Sequence, residues 1–310
     1  MSSHRPPFHQ PSSHPSGRLA NRTVRYTELH AHSAFTFLEG TDSPKALVDQ
    51  AVALGLDGLA VLDIDGMYSA VQTAQAGRAA SLPIIHGSEL TLDTVEFNDP
   101  NNRSATRRMQ VFEEGSRLRH INLEHGSLED GPVRDDERSR EAGPHARVRI
   151  ERGMGLKEGS EDPGVRLPVL ATSQEGYRTL CSLLSNHFLM HPGRRNAEFG
   201  LDEIAKFVQG SGDLWALTGT VRGPLWRALR SHGPKGAREV LEQLKATFGN
   251  DRVAVEMNLQ PHTPKGDMDQ LALLAKEGGV PLVATGAVHR ETPEKSQLGD
   301  VLAATRLGMS

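Results

Sequence analysis

The sequence predicts an α/β protein, built either as a parallel α/β barrel or as a doubly wound sheet. Short apolar runs of the kind that form buried parallel strands recur along the chain. Most of these runs are followed by a stretch whose apolar residues repeat at helical spacing. Strands that alternate with helices in this way are typical of parallel sheets. No sequence repeat at a fixed period accompanies the alternation.

The first part of the pattern begins near Tyr26. Ser43 offers a capping hydroxyl in front of a proline, which predicts the start of a helix. Leu47, Ala51 and Leu54 then lie on one face of that helix, and Gly55 can end it. The predicted strands are 27–29, 58–62 and 83–85, with 90–92 as a continuation of the third, and the second predicted helix is 69–80.

Residues 98–164 interrupt the alternation. They are charged, punctuated by Gly and Pro and nearly free of aromatic residues. Such a composition cannot bury enough apolar surface to offset the entropy of the chain, so we predict a long disordered insertion. We place it within one domain because the alternation resumes after it without a fresh start. Residues 1–25 are rich in Ser, Pro, His and Arg, contain no acidic residue and predict a disordered tail.

The second part of the pattern begins after the insertion. Its predicted strands are 167–171, 214–217, 253–257 and 281–285, and its predicted helices are 174–189, 239–248, 268–276 and a last one that begins near Pro293. The residues expected to face the core from the first two of these helices are Tyr177, Leu180, Leu184 and Phe188, and then Val240, Leu244 and Phe248.

Composition excludes several classes of protein. The net charge of the 310 residues is −4, so the chain should not bind nucleic acid through bulk positive charge. The single cysteine, Cys181, excludes a disulfide framework and fits a reducing compartment, so we expect a cytoplasmic protein. No run of about 18 apolar residues is present, so no membrane span is predicted.

Five side chains of the metal-ligand type fall at or just after predicted strands. They are His30, His32, Asp63, Glu89 and His289. The carboxyl ends of the strands of a parallel barrel meet at one face, so these side chains are expected to converge there. Imidazole and carboxylate ligands suit zinc, manganese or iron, and such metals can support phosphoester hydrolysis.

Each of these residues also has a structural interpretation. The H-x-H pair alone is weak evidence for a metal site, although residues i and i+2 on a strand point to one face. Asp63 would then be a cap at the start of a loop, Glu89 a solvated edge residue and His289 an ordinary surface histidine.

Six segments resemble the PHP domains at the front of bacterial C-family DNA polymerases. They are 28–40 (ELHAHS to FLEG), 59–71 (LAVLDIDGMYSAV), 83–90 (PIIHGSEL), 167–184 (LPVLATSQEGYRTLCSLL), 214–219 (LWALTG) and 281–306 (PLVATGAVHR to AATR). The wording of 59–71 and the ending of 281–306 are most similar to the error-prone branch. The resemblance implies a distorted (β/α)7-type barrel over residues 26–306, and the start of a polymerase body over 293–310.

The sequence also departs from the family at expected ligand positions, which carry Ile64, Arg166, Thr220 and Ala287. Isoleucine and alanine cannot bind metal, and arginine is a permanent cation. The resemblance therefore implies a partial or vestigial site. We expect one Zn or Mn ion on His30, His32 and Glu89, with His289 as a further candidate, rather than a full multi-metal centre. A second hypothesis is that Arg166 fills a metal position by pairing with Glu89 or Asp63.

Three functions follow as hypotheses. The first is a scaffold domain without catalytic residues in an error-prone DNA polymerase, a nucleotidyltransferase that acts in replication, repair and damage-induced translesion synthesis. Its partners would be the downstream polymerase body, DNA through the whole polymerase, and other replication or damage-response proteins. The second is an active metal-dependent phosphoesterase or 3′–5′ proofreading exonuclease. The third is a free-standing PHP-like protein. The polymerase catalytic domain of the resembled family lies beyond this chain, so these residues alone should not synthesise DNA.

Overall fold

A computed structural model describes residues 25–93, 96–98, 147–149, 164–191, 197–209, 213–259 and 265–306. Within these ranges the strands are β1 (Thr27–Ala31), β2 (Gly58–Val61), β3 (Ile84–Leu92), β4 (Glu96–Asn98), β5 (Arg147–Arg149), β6 (Val165–Ala171), β7 (Leu214–Leu217), β8 (Val253–Met257) and β9 (Leu282–Ala284). The helices are α1 (Pro44–Ala53), α2 (Ala70–Ala80), α3 (Gln174–Met190), α4 (Leu201–Val208), α5 (Pro224–Phe248), α6 (Lys265–Gly278) and α7 (Ser296–Arg306), and a short 3-10 turn (Pro293–Lys295) precedes α7.

The main sheet has seven strands in the order β1-β2-β3-β6-β7-β8-β9. It curls into a half-barrel, and a short parallel bridge joins Ala31 to Val288, which follows β9. Two backbone hydrogen bonds of 2.8 Å hold this junction, from His32 N–H to the Val288 carbonyl and from Val288 N–H to the His30 carbonyl. The α/β fold class predicted from the sequence is therefore confirmed, with the chain after β9 lying beside β1.

Strand β6 runs against both of its neighbours, which corrects the expectation of a parallel sheet. The other paired strands of the main sheet are parallel. A parallel connection needs a crossover, usually a helix, whereas β3 ends and β6 begins at the same end of the sheet. The first residues of β6, including Arg166, consequently lie at the rim where the parallel strands end.

Strand β3 is longer than expected and contains Glu89 instead of ending before it. Its nine residues join the predicted strand 83–85 and its continuation 90–92 into one element. Within the segment predicted to be disordered, Arg147–Arg149 pairs with Glu96–Asn98 in a separate two-stranded sheet. Residues 99–146 and 150–163 of that segment, and the predicted tail up to residue 24, lie outside the described residues.

The apolar core occupies both faces of the main sheet. The outer faces of the strands pack under the helices, as Val253 and Val255 do with α5 and α6. The inner face is a small cluster of Ala60, Leu62, Leu170, Leu217 and Ala254. Strands covered on both faces read as continuous apolar runs, which is why the sequence located them well.

Helix α1 begins as predicted, because the Ser43 hydroxyl accepts a hydrogen bond from Ala46 N–H at 3.3 Å. It ends at Ala53, so Leu54 leaves the predicted apolar face and is 65% exposed. Leu47 and Ala51 are buried as expected.

Helix α3 buries Leu180 and Leu184 as predicted, but the stripe continues through His187 and not through Phe188. Phe188 is 40% exposed. Each step of four residues advances about 40° beyond a full turn, so the second such step, from Leu184 to Phe188, carries the side chain off the buried face. A step of three residues from Leu184 returns to it.

Helix α5 is much longer than predicted and buries Val240, Leu244 and Phe248 as expected. Gly233, at φ 68°, interrupts it in front of Pro234, and that pair concealed the first half of the helix from the sequence pattern. Helix α4 was not predicted. None of the helices in the described ranges is both long and apolar enough to cross a membrane.

Candidate metal centre

Three predicted ligand residues meet at the rim of the half-barrel. His30 Nε2 lies 3.1 Å from His32 Nε2 and 3.3 Å from Glu89 Oε1. His32 Nε2 lies 3.6 Å from Glu89 Oε2. All three side chains are buried. Among the described residues this is the group of three whose ligand atoms, all within 4.8 Å of one another, could hold a metal ion.

An irregularity in β1 helps to bring the two histidines together. Glu28 pairs with Leu59 and Ala31 pairs with Val61, so two residues of β1 stand opposite one residue of β2. His30 is one of these two residues. A bulge of this kind re-aims a side chain, and bulges are frequent beside functional sites. The two imidazoles therefore converge without the regular strand alternation that the H-x-H spacing suggested.

Glu256 completes the surroundings of His30 and was missed by the sequence reasoning. Its Oε1 lies 2.7 Å from His30 Nδ1, and its side chain is fully buried. The hydroxyl of Thr285 also donates to this oxygen. The signal that could have identified Glu256 is its position as the acidic residue of the apolar strand Val253–Met257. An acidic residue in a strand covered on both faces needs a partner of its own.

The charges of the group are set by burial and by these close contacts. Burial disfavours a charged His30, but the Glu256 and Glu89 carboxylates raise its pKa well above the ordinary value. Burial lowers the pKa of His32 well below the ordinary value. Burial alone would raise the pKa of Glu89, but His30, His32 and Arg166 hold it far below its usual range. A metal ion that binds here must displace the proton from one imidazole nitrogen.

Asp63 lies beside the group but its carboxylate is turned to hydrogen bonds. Its Oδ1 accepts from Ser33 N–H at 3.1 Å, from the Ser33 hydroxyl at 2.7 Å and from the Thr36 hydroxyl at 3.0 Å. Its Oδ2 accepts from Ser69 N–H at 3.0 Å. Asp63 therefore fixes the loop that follows His32, close to the loop-capping interpretation of the sequence.

His289 approaches the group through ring stacking. Its imidazole lies parallel to that of His32, with ring centroids 4.5 Å apart and an angle of 2° between the planes. Burial lowers the pKa of His289 to about 4. The ring is thus neutral at pH 7 and packs against a candidate ligand, outside the group of three.

The four substituted positions lie around the same rim. Ile64 pairs with Glu89 through a parallel bridge, and its N–H lies 3.4 Å from the Thr36 hydroxyl. Thr220 follows β7, and Ala287 has a left-handed φ of 45° in the turn after β9. Neither isoleucine nor alanine offers a donor atom on its side chain.

Arg166 forms a separate ionic cluster next to the group of three. Its guanidinium donates to the Thr91 hydroxyl at 2.8 Å and lies 3.9 Å from Asp65 and 4.0 Å from Glu39. These ion-pair partners differ from the expected Glu89 and Asp63. The cause is the reversed β6, which places Arg166 opposite Thr91 at the outer end of β3.

The Glu39 carboxylate pairs with two further guanidinium groups. Arg222 lies 2.7 Å from its Oε2, and Arg306 of α7 lies 3.4 Å from its Oε1. Both arginines line a cavity of about 500 Å³ between the rim and α7, together with His289. Sequence reasoning missed Glu39 and Asp65 because nothing in their spacing indicated which cations they would meet.

The donor set of His30, His32 and Glu89 fits one divalent ion. Two imidazole nitrogens and one carboxylate form the ligand type of open zinc sites and also suit manganese. Glu256 fits the same purpose, since a carboxylate on the far nitrogen of a ligating histidine orients the ring. Such an ion, when bound, would supply Lewis acidity at the rim.

A family model described as PHP domain matches residues 28–260. An error-prone DNA polymerase of Nocardia farcinica is 32% identical over 296 residues, covering 92% of this chain and 23% of the relative. One from Cutibacterium acnes is 32% identical over 306 residues, covering 97% of this chain and 21% of the relative.

A solved structure described as a metal-dependent phosphoesterase from Bifidobacterium adolescentis matches with a TM-score of 0.41 at 18% identity. The match covers 87% of this chain and 90% of that one. The chain spans about a fifth of the length of the curated relatives it matches. The family match covers most of the chain and includes the strands that carry His30, Glu89 and Glu256, and the chain belongs to the PHP domain family.

Proposed function

We propose that this chain is the PHP domain of an error-prone DNA polymerase and serves it as a scaffold that holds a single divalent ion. The observation that carries the proposal is the division of the rim. One ligand group, His30, His32 and Glu89, lies beside a cluster of arginines. A phosphoesterase that works through adjacent metals would need ligands on both sides of this division.

A second ion next to the first has no evident ligands among the described rim residues. Metal pairs in hydrolytic sites lie about 3.5–4 Å apart and share or adjoin their ligands. Ile64 and Ala287 cannot contribute, and the Arg166 guanidinium already supplies positive charge to Asp65 and Glu39. The chain's own cations therefore stand in place of further metal ions.

The polymerase assignment is supported by the relatives, which are named error-prone DNA polymerases and are four to five times longer than this chain. We propose that the PHP domain spans residues 26–306 and that residues 293–310 lead into a polymerase body acting in translesion synthesis. Helix α7 supports this role because none of its residues is buried, and Leu298 and Val301 are 45% and 60% exposed. These apolar side chains would pack against that body.

The test is metal analysis of the purified chain after exposure to Zn²⁺ or Mn²⁺ and exhaustive dialysis. We expect about one ion per wild-type chain and none in His30→Ala, which removes a ligand of the group. His86→Ala is the matched control, since this partly buried histidine of β3 contacts Tyr177 and lies outside the group. It should retain the ion.

Phosphodiesterase turnover is measured in the same samples with a chromogenic diester. If the domain is a scaffold, none of these samples should show turnover above the blank. Metal-dependent turnover in wild type and in His86→Ala that disappears in His30→Ala would overturn the scaffold and favour the phosphoesterase. A wild-type chain that retains no metal would overturn the proposal that the domain holds a single ion.

A further inference from the structure

Glu256 is a buried carboxylate whose position calls for a physical explanation. Its side chain is fully buried, and its Oε1 meets both His30 Nδ1 and the Thr285 hydroxyl. Its Oε2 is buried and has no hydrogen-bond partner. Burying a carboxylate is unfavourable unless it is paired, and an unpaired oxygen adds to that penalty. The packing of the core therefore does not explain a carboxylate in the middle of an apolar strand.

The contact with His30 decides which ring nitrogen faces the rim. A carboxylate accepts hydrogen bonds, so the proton of His30 Nδ1 is held against Glu256. Nε2 then faces His32 Nε2 at 3.1 Å and Glu89 Oε1 at 3.3 Å. Reversing the ring would remove its coordinating nitrogen from this group. Thr285, at the end of β9, holds the carboxylate from the other side and so fixes the direction of the bond.

We propose that Glu256 is a positioning residue that orients His30 for the ion held by His30, His32 and Glu89. The proposal deepens the single-ion function and rests on it. Glu256 does not touch the ion but acts through the imidazole, as the outer carboxylate of a carboxylate–histidine–metal arrangement. It adds to the rim a residue on β8, a strand that contributes no ligand to the group.

The first test compares the affinity of the full chain for Zn²⁺ by competition with a fluorescent chelator. We expect Glu256→Ala to weaken binding by about 10–100-fold, the range for loss of such outer partners. Glu256→Gln should lose less, because its amide oxygen still accepts the hydrogen bond from Nδ1. This partial rescue separates a positioning role from a merely structural one.

The matched control is Glu203→Gln. Glu203 is the partner of another buried histidine, with its carboxylate 3.0 Å from His187 Nδ1 between α3 and α4. Its substitution disturbs a similar pair far along the sequence from the group and should leave Zn²⁺ affinity within about twofold of wild type, since sites that share no contacts act independently. Circular dichroism verifies that each variant is folded, and Glu256→Gln carries the test if Glu256→Ala does not fold.

The second test does not need the metal. NMR of the ¹⁵N-histidine-labelled chain should reveal a downfield, slowly exchanging proton on His30 Nδ1 in wild type and in Glu203→Gln. It should be absent in Glu256→Ala. Equal Zn²⁺ affinity in wild type and in both folded Glu256 variants, or a wild type without this proton, would overturn the positioning role. A wild type that has the proton but binds no Zn²⁺ would instead overturn the proposed ion and leave the orientation of His30 established.

Discussion

The rim of this PHP domain has two halves, and each half neutralises its buried carboxylates with a different kind of cation. The histidine half consists of His30, His32 and Glu89, with Glu256 behind them. The arginine half consists of Glu39 and Asp65 with Arg166, Arg222 and Arg306 around them. Both halves place carboxylates in a largely buried setting, where each charge needs a partner.

The difference between the halves lies in where the positive charge comes from. The histidine half has ring nitrogens that can lose a proton and accept a metal ion in its place. The arginine half carries guanidinium groups, which stay charged at any relevant pH and cannot be exchanged for metal. A rim of this kind can keep its shape without a full set of metal ions, because part of the counter-charge is covalently attached to the chain.

The largest expected effect comes from breaking the arginine half. Arg166→Ala should destabilise the chain by about 3–5 kcal/mol, because it removes the cation that pairs with the buried Asp65 carboxylate, while Glu39 keeps Arg222 and Arg306. Urea denaturation measures the loss. Arg178→Ala is the control, since Arg178 pairs with Glu175 on the exposed face of α3 and should change stability by less than about 1 kcal/mol. A similar small change for Arg166→Ala would mean that the arginine half does not stabilise the rim.

A smaller effect is expected at the edge of the arginine half, where Asp42 pairs with Lys295 just ahead of α7. Burial would raise the pKa of Asp42, but hydrogen bonds from Lys295, Thr41 and Glu291 N–H hold it below the ordinary value. Asp42→Asn should therefore destabilise the chain by about 1–2 kcal/mol at neutral pH.

The sign of the pH dependence follows from the lowered pKa. A carboxylate that titrates at lower pH in the folded chain stabilises it above the unfolded pKa of about 4, and this stabilisation is lost as the pH falls through the folded pKa. The stability difference between wild type and Asp42→Asn should thus shrink between pH 5 and acid conditions, as measured by urea denaturation at stepped pH. A difference that grows on acidification would contradict the assignment.

The smallest effect is expected when Arg166 of the arginine half is replaced by a residue that could bind metal. Arg166→His should bind no more metal than wild type, because Ile64 and Ala287 still offer no donor and Arg222 still occupies Glu39. Mass spectrometry of the dialysed protein counts the ions. An additional ion in Arg166→His, with unchanged stability, would indicate that the arginine half is a vacant metal site and not an ionic replacement for one.

Much of the fold could be predicted from the sequence because its strands and helices are defined by local apolar patterns. The strands Leu214–Leu217 and Val253–Met257 were predicted with their observed limits, since buried strands stand out as short apolar runs. The kink of α5 at Gly233 and the reversal of β6 could not be read in the same way. In the sequence, Gly233 and the proline after it look like a break between two elements. The direction of β6 depends on the end of the sheet at which the chain enters that strand.

The candidate ligands of the histidine half could likewise be predicted, because histidines and acids at strand ends converge in any parallel barrel. The roles of the remaining residues were not. Asp63 was expected among the ligands, yet its carboxylate accepts four hydrogen bonds from the loops around it. Glu256 was overlooked, although it contacts His30 directly.

By itself the sequence determined the alternation of strands and helices, and it predicted the set of possible metal ligands and the positions at which a ligand of the family is replaced. Only the tertiary structure decided which carboxylate meets which cation. Residues such as Glu39 and Arg222, or His30 and Glu256, are more than 180 positions apart, and their distances depend on the curl of the sheet and the direction of β6. Ion pairs and hydrogen bonds act over a few ångströms, so they are fixed by the packing of the whole chain and not by spacing along it.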